Sequence, residues 1–172
     1  MGGEITKVYR QEVPALRFIG KKYGNSDRVN GNFGKLWGQW FQNNWFDTVA
    51  NQAKQNEPAF EGSDAYTGLM RDKNNVFEYW IGIFMPENTP VPESFDHLDF
   101  PKGSLGVCWI YGRESEVYGM EPQCADKLKE QGFELQRDRE DTVWCFERYT
   151  CPRFTTPDEK GKIILDFCFY VK

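Results

Sequence analysis

The sequence has few of the residues on which metal and thiol chemistry depend. Its 172 residues include a single histidine, His97, and five cysteines, an odd number with no CxxC motif. Zinc sites need several Cys or His ligands at short spacing, and most catalytic triads need a histidine base. We therefore expect no metal, no cofactor and no thiol-redox site. His97, in a proline-rich stretch, is interpreted as a surface residue.

The sequence also lacks a basic block and a long apolar run. Its formal net charge is -5, from 26 acidic and 21 basic residues, which is not the pattern of a nucleic-acid-binding surface. The longest apolar run is too short to span a bilayer, and the N-terminal "MGGEITKVYRQEV" resembles neither a signal peptide nor a transit peptide. We expect a cytoplasmic protein, a monomer or homodimer, without direct nucleic-acid or membrane binding.

Aromatic residues, in contrast, are abundant. They make up 16% of the chain, with 6 Trp, 8 Tyr and 14 Phe. This is more than the packing of a small core normally requires, and it indicates a ligand site lined by aromatic rings. An unusually aromatic core is the alternative.

The first half of the chain has the pattern strand, helix, strand, strand. An extended stretch begins near Pro14 and ends at Gly20. Apolar residues at spacings of three and four predict a helix from about Phe33 to Lys54. The segments "AYTGLMR" and "VFEYWIGIFMP", separated by "DKNN", predict a hairpin.

The second half repeats this order. A strand in "FPKGSLGVCWIYG" precedes a helix from about Pro122 to Gln131, and "TVWCFERYT" and "GKIILDFCFYVK" predict a closing hairpin. The intervening "GRESEVYGMEP" is interpreted as a charged loop. We predict one α+β domain over residues 1–172, with βαββ repeats at about 4–86 and about 99–172 and a linker at about 87–98. Two such units would bury their open sheet edges by pairing with each other.

One carboxylate stands out within the last hairpin. In "VWCFERYTC", strand alternation places Cys145, Glu147 and Tyr149 on one face and Phe146 and Arg148 on the other. Arg148 is therefore not positioned to neutralise Glu147, and a carboxylate among apolar side chains is costly unless something compensates it. The alternative is an ordinary solvated glutamate at a strand end.

Two further acidic residues lie in predicted strands. Asp166 alternates with Leu165 and Phe167, so we expect it to face solvent or to pair with a neighbouring strand. Glu78 is expected on a solvated face. Neither is assigned to the main site.

Five stretches together resemble the GyrI-like family, the effector-binding domain of AraC-type and multidrug-sensing bacterial regulators. They are "VPALRFIG" near the start, "YWIGIF" at 79–84, "FPKGSLGVCWIYG" at 100–112, "FERY" at 146–149 and "ILDFCFYV" at 164–171. No single stretch is highly specific, but their order and spacing cover nearly the whole chain. The resemblance implies two pseudo-twofold βαββ repeats, a curved antiparallel sheet with two helices, and a ligand groove between the repeats.

The resemblance also implies a site. Glu147 matches the glutamate that the family places in the groove, and a carboxylate ringed by aromatic faces attracts flat cations. The expected ligand-binding residues are Glu147, Trp37, Trp40, Tyr79, Trp109 and Tyr149. Each of these aromatic residues has a core position as its alternative.

Three functions follow from the resemblance. The first is a standalone module that binds amphipathic or cationic aromatic small molecules, because the chain has no room for the helix-turn-helix domain of many relatives. The second is a hydrolase that opens the cyclopropane ring of DNA-alkylating natural products, with Glu147 as general base or charge stabiliser and Tyr149 or Tyr79 assisting at the substrate oxygen. The third is a protein-binding inhibitor of a topoisomerase.

Overall fold

One antiparallel sheet contains the strands of the part of the chain that the computed structural model describes, residues 2–53 and 60–172. The strands are β1 (Glu4–Val13), β2 (Leu16–Gly24), β3 (Tyr66–Lys73), β4 (Val76–Pro86), β5 (Asp96–Phe100), β6 (Gly103–Gly112), β7 (Cys145–Tyr149) and β8 (Ile163–Val171). The α-helices are α1 (Gly34–Gln42), α2 (Trp45–Ala50), α3 (Glu114–Val117) and α4 (Glu121–Glu130). The predicted α+β class is confirmed.

The strand order is a palindrome of two matching halves. From one edge to the other the order is β1-β6-β8-β7-β3-β4-β2-β5. Exchanging β1 with β5, β6 with β2, β8 with β4 and β7 with β3 gives the same order read backwards. The two halves meet where β3 pairs with β7. This agrees with the predicted repetition of strand, helix, strand, strand, and the residue bounds given above for the repeats and their linker stay predictions.

Each half contains one strand more than predicted. β1 pairs with β6, and β5 pairs with β2, so the first strand of each half forms the sheet edge next to a strand of the other half. Both added strands lie at sheet edges, where charged side chains are common because they discourage pairing with other chains. Those charges hide the apolar alternation in "EITKVYRQEV" and "DHLDF", and β5 begins inside the predicted linker.

The helices also differ in detail from the prediction. The first predicted helix is two helices, α1 and α2, because Asn44 between them has the left-handed φ of 55°. Its predicted end at Lys54 lies outside the described residues. The interpretation of "GRESEVYGMEP" as a loop throughout is wrong, since α3 occupies Glu114–Val117. The second predicted helix corresponds to α4.

The sheet curls strongly across its width. Phe100 of β5 stacks on Tyr170 of β8 with ring centroids 5.1 Å apart, although four strands separate β5 from β8 in the sheet. These rings belong to a buried apolar cluster that fills the concave face and includes Phe18, Trp80 and Phe146. The sheet therefore wraps around this cluster, which is the predicted curvature.

The helices cover the opposite, convex face, called the helix face below. Trp40 of α1 and Leu128 of α4 are fully buried against this face. Gly106 of β6 permits the approach of α4, because a Cβ at that position would lie 2.7 Å from a methyl carbon of Leu128. Every helix in the described ranges falls short of the length and apolar character that a membrane-spanning helix requires.

Candidate ligand-binding site

Glu147 lies at the centre of the sheet, on the helix face. It belongs to β7, opposite Gly68 of β3 on one side and Phe167 of β8 on the other. Only 8% of its surface is exposed, so the alternative of a solvated strand-end glutamate is wrong. Arg148, the next residue, points to the concave face and pairs there with Asp166. The predicted alternation along β7 is confirmed.

Burial sets the protonation state of Glu147. No lysine or arginine among the described residues forms an ion pair with it. Loss of hydration, followed by the negative charge of Glu121, raises the pKa of Glu147 to about 8, while a hydrogen bond with Tyr149 lowers it. The carboxyl group is therefore mostly protonated at neutral pH.

Three of the predicted aromatic residues gather beside Glu147. They form the aromatic cluster of Trp37, Tyr79 and Tyr149. The indole Nε1 of Trp37 donates a hydrogen bond of 3.0 Å to the hydroxyl of Tyr79, and the ring of Trp37 meets that of Tyr149 edge-on at 5.0 Å. Burial, and then the charge of Glu147, raise the pKa of both tyrosines. Both hydroxyls stay neutral and can act as hydrogen-bond donors at physiological pH.

Gly68 makes room for this cluster. A Cβ at Gly68 would lie 2.5 Å from the hydroxyl oxygen of Tyr79, so the absence of a side chain opposite Glu147 lets the Tyr79 hydroxyl lie over β3. The ring of Tyr79 has little freedom to move, because it is 5% exposed and stacks on Phe33 at 4.2 Å.

Replacement of this glycine tests the arrangement. We expect Gly68→Ala to destabilise the protein by about 1–3 kcal/mol, because the added methyl group overpacks a buried site. The double variant Gly68→Ala/Tyr79→Phe should recover part of the loss, since it removes the closest atom. Urea unfolding of the two single variants and the double variant gives the coupling energy. Strictly additive losses would mean that Tyr79 is not what Gly68 accommodates.

Residues around α3 and α4 add negative charge on the helix face. Tyr118, which is 42% exposed, follows α3, and its hydroxyl lies 3.3 Å from an oxygen of Glu114. Burial raises the pKa of Tyr118, with Glu114 and then Glu147 adding to the effect. Glu121 begins α4. The sequence indicated none of these residues, because only the folded sheet brings α3 and α4 over β6 and β8, and β8 is the strand that pairs with β7.

Two predicted ligand-binding residues lie elsewhere. Trp40 is fully buried and donates a hydrogen bond of 3.0 Å to the hydroxyl of Tyr23, so it belongs to the core beneath α1. Trp109 lies on the concave side of the sheet, between the cations of Lys7 and Arg153 at 4.5 and 4.7 Å from its ring. Its neighbours in β6, Cys108 and Ile110, face the helices instead.

Asp166 and Glu78 occupy corresponding places on the concave face. Asp166 lies opposite Arg148 in the β7–β8 pair, and Glu78 lies opposite Arg71 in the β3–β4 pair. Both carboxylates are buried, at 0% and 7% exposure. The expectation that Glu78 is solvated is wrong. Asp166 fulfils the second of its two alternatives, pairing with a neighbouring strand.

The fold and the site together define an α+β domain with one curved sheet and a buried carboxyl group among aromatic rings. No family model and no curated protein matches the sequence. Among solved structures, SAV2435 bound to tetraphenylphosphonium is similar at TM-score 0.65 and 15% identity, over 97% of this chain and 94% of that chain. The C-terminal domain of EcmrR is similar at 0.60 and 9%, over 96% and 97%.

A hydrolase from Listeria innocua is also similar, at TM-score 0.53 and 10% identity, over 96% of this chain and 92% of that chain. These likenesses establish the fold, and they confirm that it is the one expected from the resemblance to GyrI-like effector-binding domains. Residues 2–53 and 60–172 contain no group of three or more His, Cys, Asp or Glu side chains placed to hold a metal ion.

Proposed function

We propose that the protein binds small amphipathic cations with flat aromatic or hydrophobic parts, and that Glu147 receives the positive charge. The observation that carries this proposal is the buried carboxyl group of Glu147, which has no paired cation among the described residues and lies against the aromatic cluster. A structure of SAV2435 holds tetraphenylphosphonium, a cation of this kind, and supports the proposal.

The proposed chemistry exchanges a proton for the ligand. In the free protein the carboxyl group is protonated, which avoids the cost of a buried charge. A cation that enters the site provides the missing counter-charge, so the proton leaves and an ion pair forms in surroundings of low dielectric. The faces of Trp37, Tyr79 and Tyr149 add cation–π attraction of about 0.5–2 kcal/mol each where a face is reached.

Binding should therefore strengthen with pH. We expect the affinity for tetraphenylphosphonium to rise about tenfold per pH unit below the pKa of Glu147 and to level off above about 8. Titration calorimetry from pH 6 to pH 9 measures this. Tyr79, Tyr118 and Tyr149 stay neutral over the range because their pKa values are raised.

The matched variants are Glu147→Gln and Glu130→Gln. Glu147→Gln should bind about 1–3 kcal/mol more weakly at pH 9 and lose the pH dependence, because the amide cannot ionise. Glu130→Gln removes one negative charge at the exposed end of α4 and should behave like the wild type. Equal affinity of wild type and Glu147→Gln at pH 9 would rule out the proposed site.

A hydrolase is the second candidate, favoured by the same carboxyl group. A pKa of about 8 suits a general base near neutral pH, and the neutral hydroxyls of Tyr79 and Tyr149 could donate to an oxygen that gains charge. Incubation with a cyclopropane-bearing DNA alkylator, followed by mass spectrometry, distinguishes the two functions. Ring opening that depends on Glu147 would favour the enzyme, and product formation no faster than in buffer leaves the binding function.

A further inference from the structure

Trp37 is held in one orientation beside the site. Its ring meets that of Tyr149 edge-on at 5.0 Å between centroids, and it packs against Phe41 at 6.5 Å and Phe46 at 5.8 Å. Trp37 and Phe41 belong to α1, and Phe46 belongs to α2. Three ring neighbours leave an indole few rotamers, so packing sets the direction of its N–H group.

The N–H group of Trp37 determines where the Tyr79 hydroxyl donates. An indole nitrogen is a donor only, whereas a tyrosine hydroxyl both donates and accepts. Nε1 of Trp37 donates to the hydroxyl oxygen of Tyr79 at 3.0 Å, so the hydroxyl hydrogen points away from the indole. The ring of Tyr79 is buried and stacked on Phe33, so rotation of this hydrogen is the main freedom that the hydroxyl has left.

The Tyr79 hydroxyl also lies beside Glu147. A Cβ at Gly68 would be 2.5 Å from the hydroxyl oxygen, and Gly68 is directly opposite Glu147 in the pairing of β3 with β7. Residues opposite each other in an antiparallel pair have Cβ atoms about 4.5–5.5 Å apart. The hydroxyl therefore takes the place that a side chain of residue 68 would have as the cross-strand neighbour of Glu147.

Tyr149 connects the Tyr79 hydroxyl with the carboxyl group. It lies two residues beyond Glu147 on the same face of β7, and its hydroxyl hydrogen-bonds to Glu147 and to Tyr79. A carboxylate only accepts, so Tyr149 donates to ionised Glu147 and its own oxygen accepts from Tyr79. Trp37, Tyr79, Tyr149 and Glu147 thus form a hydrogen-bond chain in which each group donates to the next. Such chains strengthen their members, most of all at an ionised acceptor.

We propose that Trp37 is a positioning residue, which directs the hydroxyl hydrogens of Tyr79 and Tyr149 toward Glu147 and so stabilises the carboxylate that receives a cationic ligand. The role in binding rests on the proposed function. Trp37 then has two separable effects. Its ring adds cation–π attraction at any pH, whereas its N–H group favours only the ionised form of Glu147.

The titratable groups that interact with Glu147 allow these effects to be separated. They are Tyr79 of β4, Cys145 and Tyr149 of β7, Tyr118 after α3 and Glu121 of α4. The pKa values of the three tyrosines and of Cys145 are raised, so these groups stay neutral from pH 6 to pH 9. A change in the titration of Glu147 in this range therefore reports the hydrogen-bond chain.

Carbon-13 NMR of the glutamate carboxyl groups measures that titration in the free protein, with the Glu147 signal identified by its loss in Glu147→Gln. Trp37→Phe keeps a ring and removes the N–H group. We expect it to move the titration midpoint of Glu147 up by about 0.5–1 pH unit, because the ionised form loses an oriented donor. The affinity for tetraphenylphosphonium at pH 7 should fall about three- to tenfold from this cause, and its rise with pH should level off at a correspondingly higher pH.

Trp40→Phe is the matched control. Trp40 lies on the same helix and donates a hydrogen bond of the same length, 3.0 Å, to the hydroxyl of Tyr23, which is outside the chain. This variant should leave the midpoint of Glu147 at its wild-type value. Tyr79→Phe should raise the midpoint at least as much as Trp37→Phe. The double variant should match Tyr79→Phe alone, because Trp37 acts through the Tyr79 hydroxyl.

The positioning role is wrong if Trp37→Phe leaves the midpoint unchanged, if Trp40→Phe moves it as far, or if Trp37→Phe still moves it in the Tyr79→Phe background. If tetraphenylphosphonium does not bind the wild type but Trp37→Phe moves the midpoint, the proposed function fails and the effect of Trp37 on the carboxylate stands. Thermal unfolding establishes that each variant is folded. Should Trp37→Phe not fold, Tyr79→Phe alone decides, since an unchanged midpoint there also overturns the proposal.

Discussion

In the absence of ligand, the Glu147→Gln variant is expected to be more stable than the wild type at and above neutral pH. The folded protein raises the pKa of Glu147 from 4.5 to about 8, so keeping this carboxylate buried costs free energy once the unfolded chain has ionised. We expect the variant to gain about 2–4 kcal/mol in the free energy of unfolding at pH 7 and above. Glutamine preserves the size of the side chain and cannot ionise.

The sign follows from proton binding. Below pH 4.5 both the folded and the unfolded protein hold the proton, so Glu147 adds no pH dependence. Between 4.5 and about 8 only the folded protein holds it, so the stability of the wild type falls as the pH rises. Above the folded pKa the difference stays constant.

Urea unfolding at pH 4.5, 7 and 9 measures this difference. Wild type and Glu147→Gln should be nearly equal at the lowest pH and diverge as it rises. Glu130→Gln, which removes an exposed carboxylate, should follow the wild type throughout. Parallel profiles of wild type and Glu147→Gln would show that the carboxyl group is not protonated in the folded protein, and the proton exchange proposed for ligand binding would fall with it.

Asp166→Asn should have the opposite effect, a loss of about 3–5 kcal/mol in the free energy of unfolding, because it leaves a buried guanidinium without its counter-charge. The carboxylate of Asp166 is fully buried. It accepts hydrogen bonds from Nε of Arg148 at 2.9 Å, from Nε of Arg153 at 2.7 Å and from the hydroxyl of Thr150 at 3.1 Å. Arg148 itself is 2% exposed.

The matched control is Glu134→Gln, which breaks the exposed ion pair of Glu134 and Lys172. Exposed pairs contribute about 0–1 kcal/mol, so this variant should unfold within that range of the wild type. Chemical denaturation at pH 7 gives both values. Similar small losses for Asp166→Asn and Glu134→Gln would mean that the amide oxygen of Gln11 and the backbone carbonyl of Glu61, which also accept from Arg148, satisfy the guanidinium alone.

Glu147→Gln and Asp166→Asn contrast two ways of burying a carboxylate. Asp166 has two guanidinium groups and a hydroxyl as partners, so its negative charge supports the fold. Glu147 has no such cation among the described residues, so its negative charge opposes the fold. A buried group whose charge is unfavourable in the free protein is the kind of group that binding can compensate.

Local patterns in the sequence predicted much of the fold. The alternation in "VWCFERYTC" separated Glu147 from Arg148 correctly, because side-chain direction in a strand depends only on the backbone. The helical spacing and the hairpins gave the repeated order of elements. Strands β1 and β5 were not predicted, since charges at sheet edges obscure the apolar pattern of a strand.

The site was predictable only in part, because its residues come from distant parts of the chain. Alternation shows that Trp109 and Cys108 face opposite ways, but it does not show which face the helices cover. Trp37 and Trp40 both lie on the apolar side of one helix, and only packing decides that Trp40 belongs to the core. Glu121 and Tyr118 follow no motif that would connect them with β7.

The exchange of first strands between the two halves has a consequence for the order of folding. Strand β1 is synthesised before the other strands of the sheet, yet Glu4 pairs with Tyr111 of β6, which is made only after β2, β3, β4 and β5. Pairing between such distant segments closes long loops and slows folding. During synthesis β1 has no partner strand until β6 is made, and its charged side chains disfavour pairing with the sheet edge of another chain.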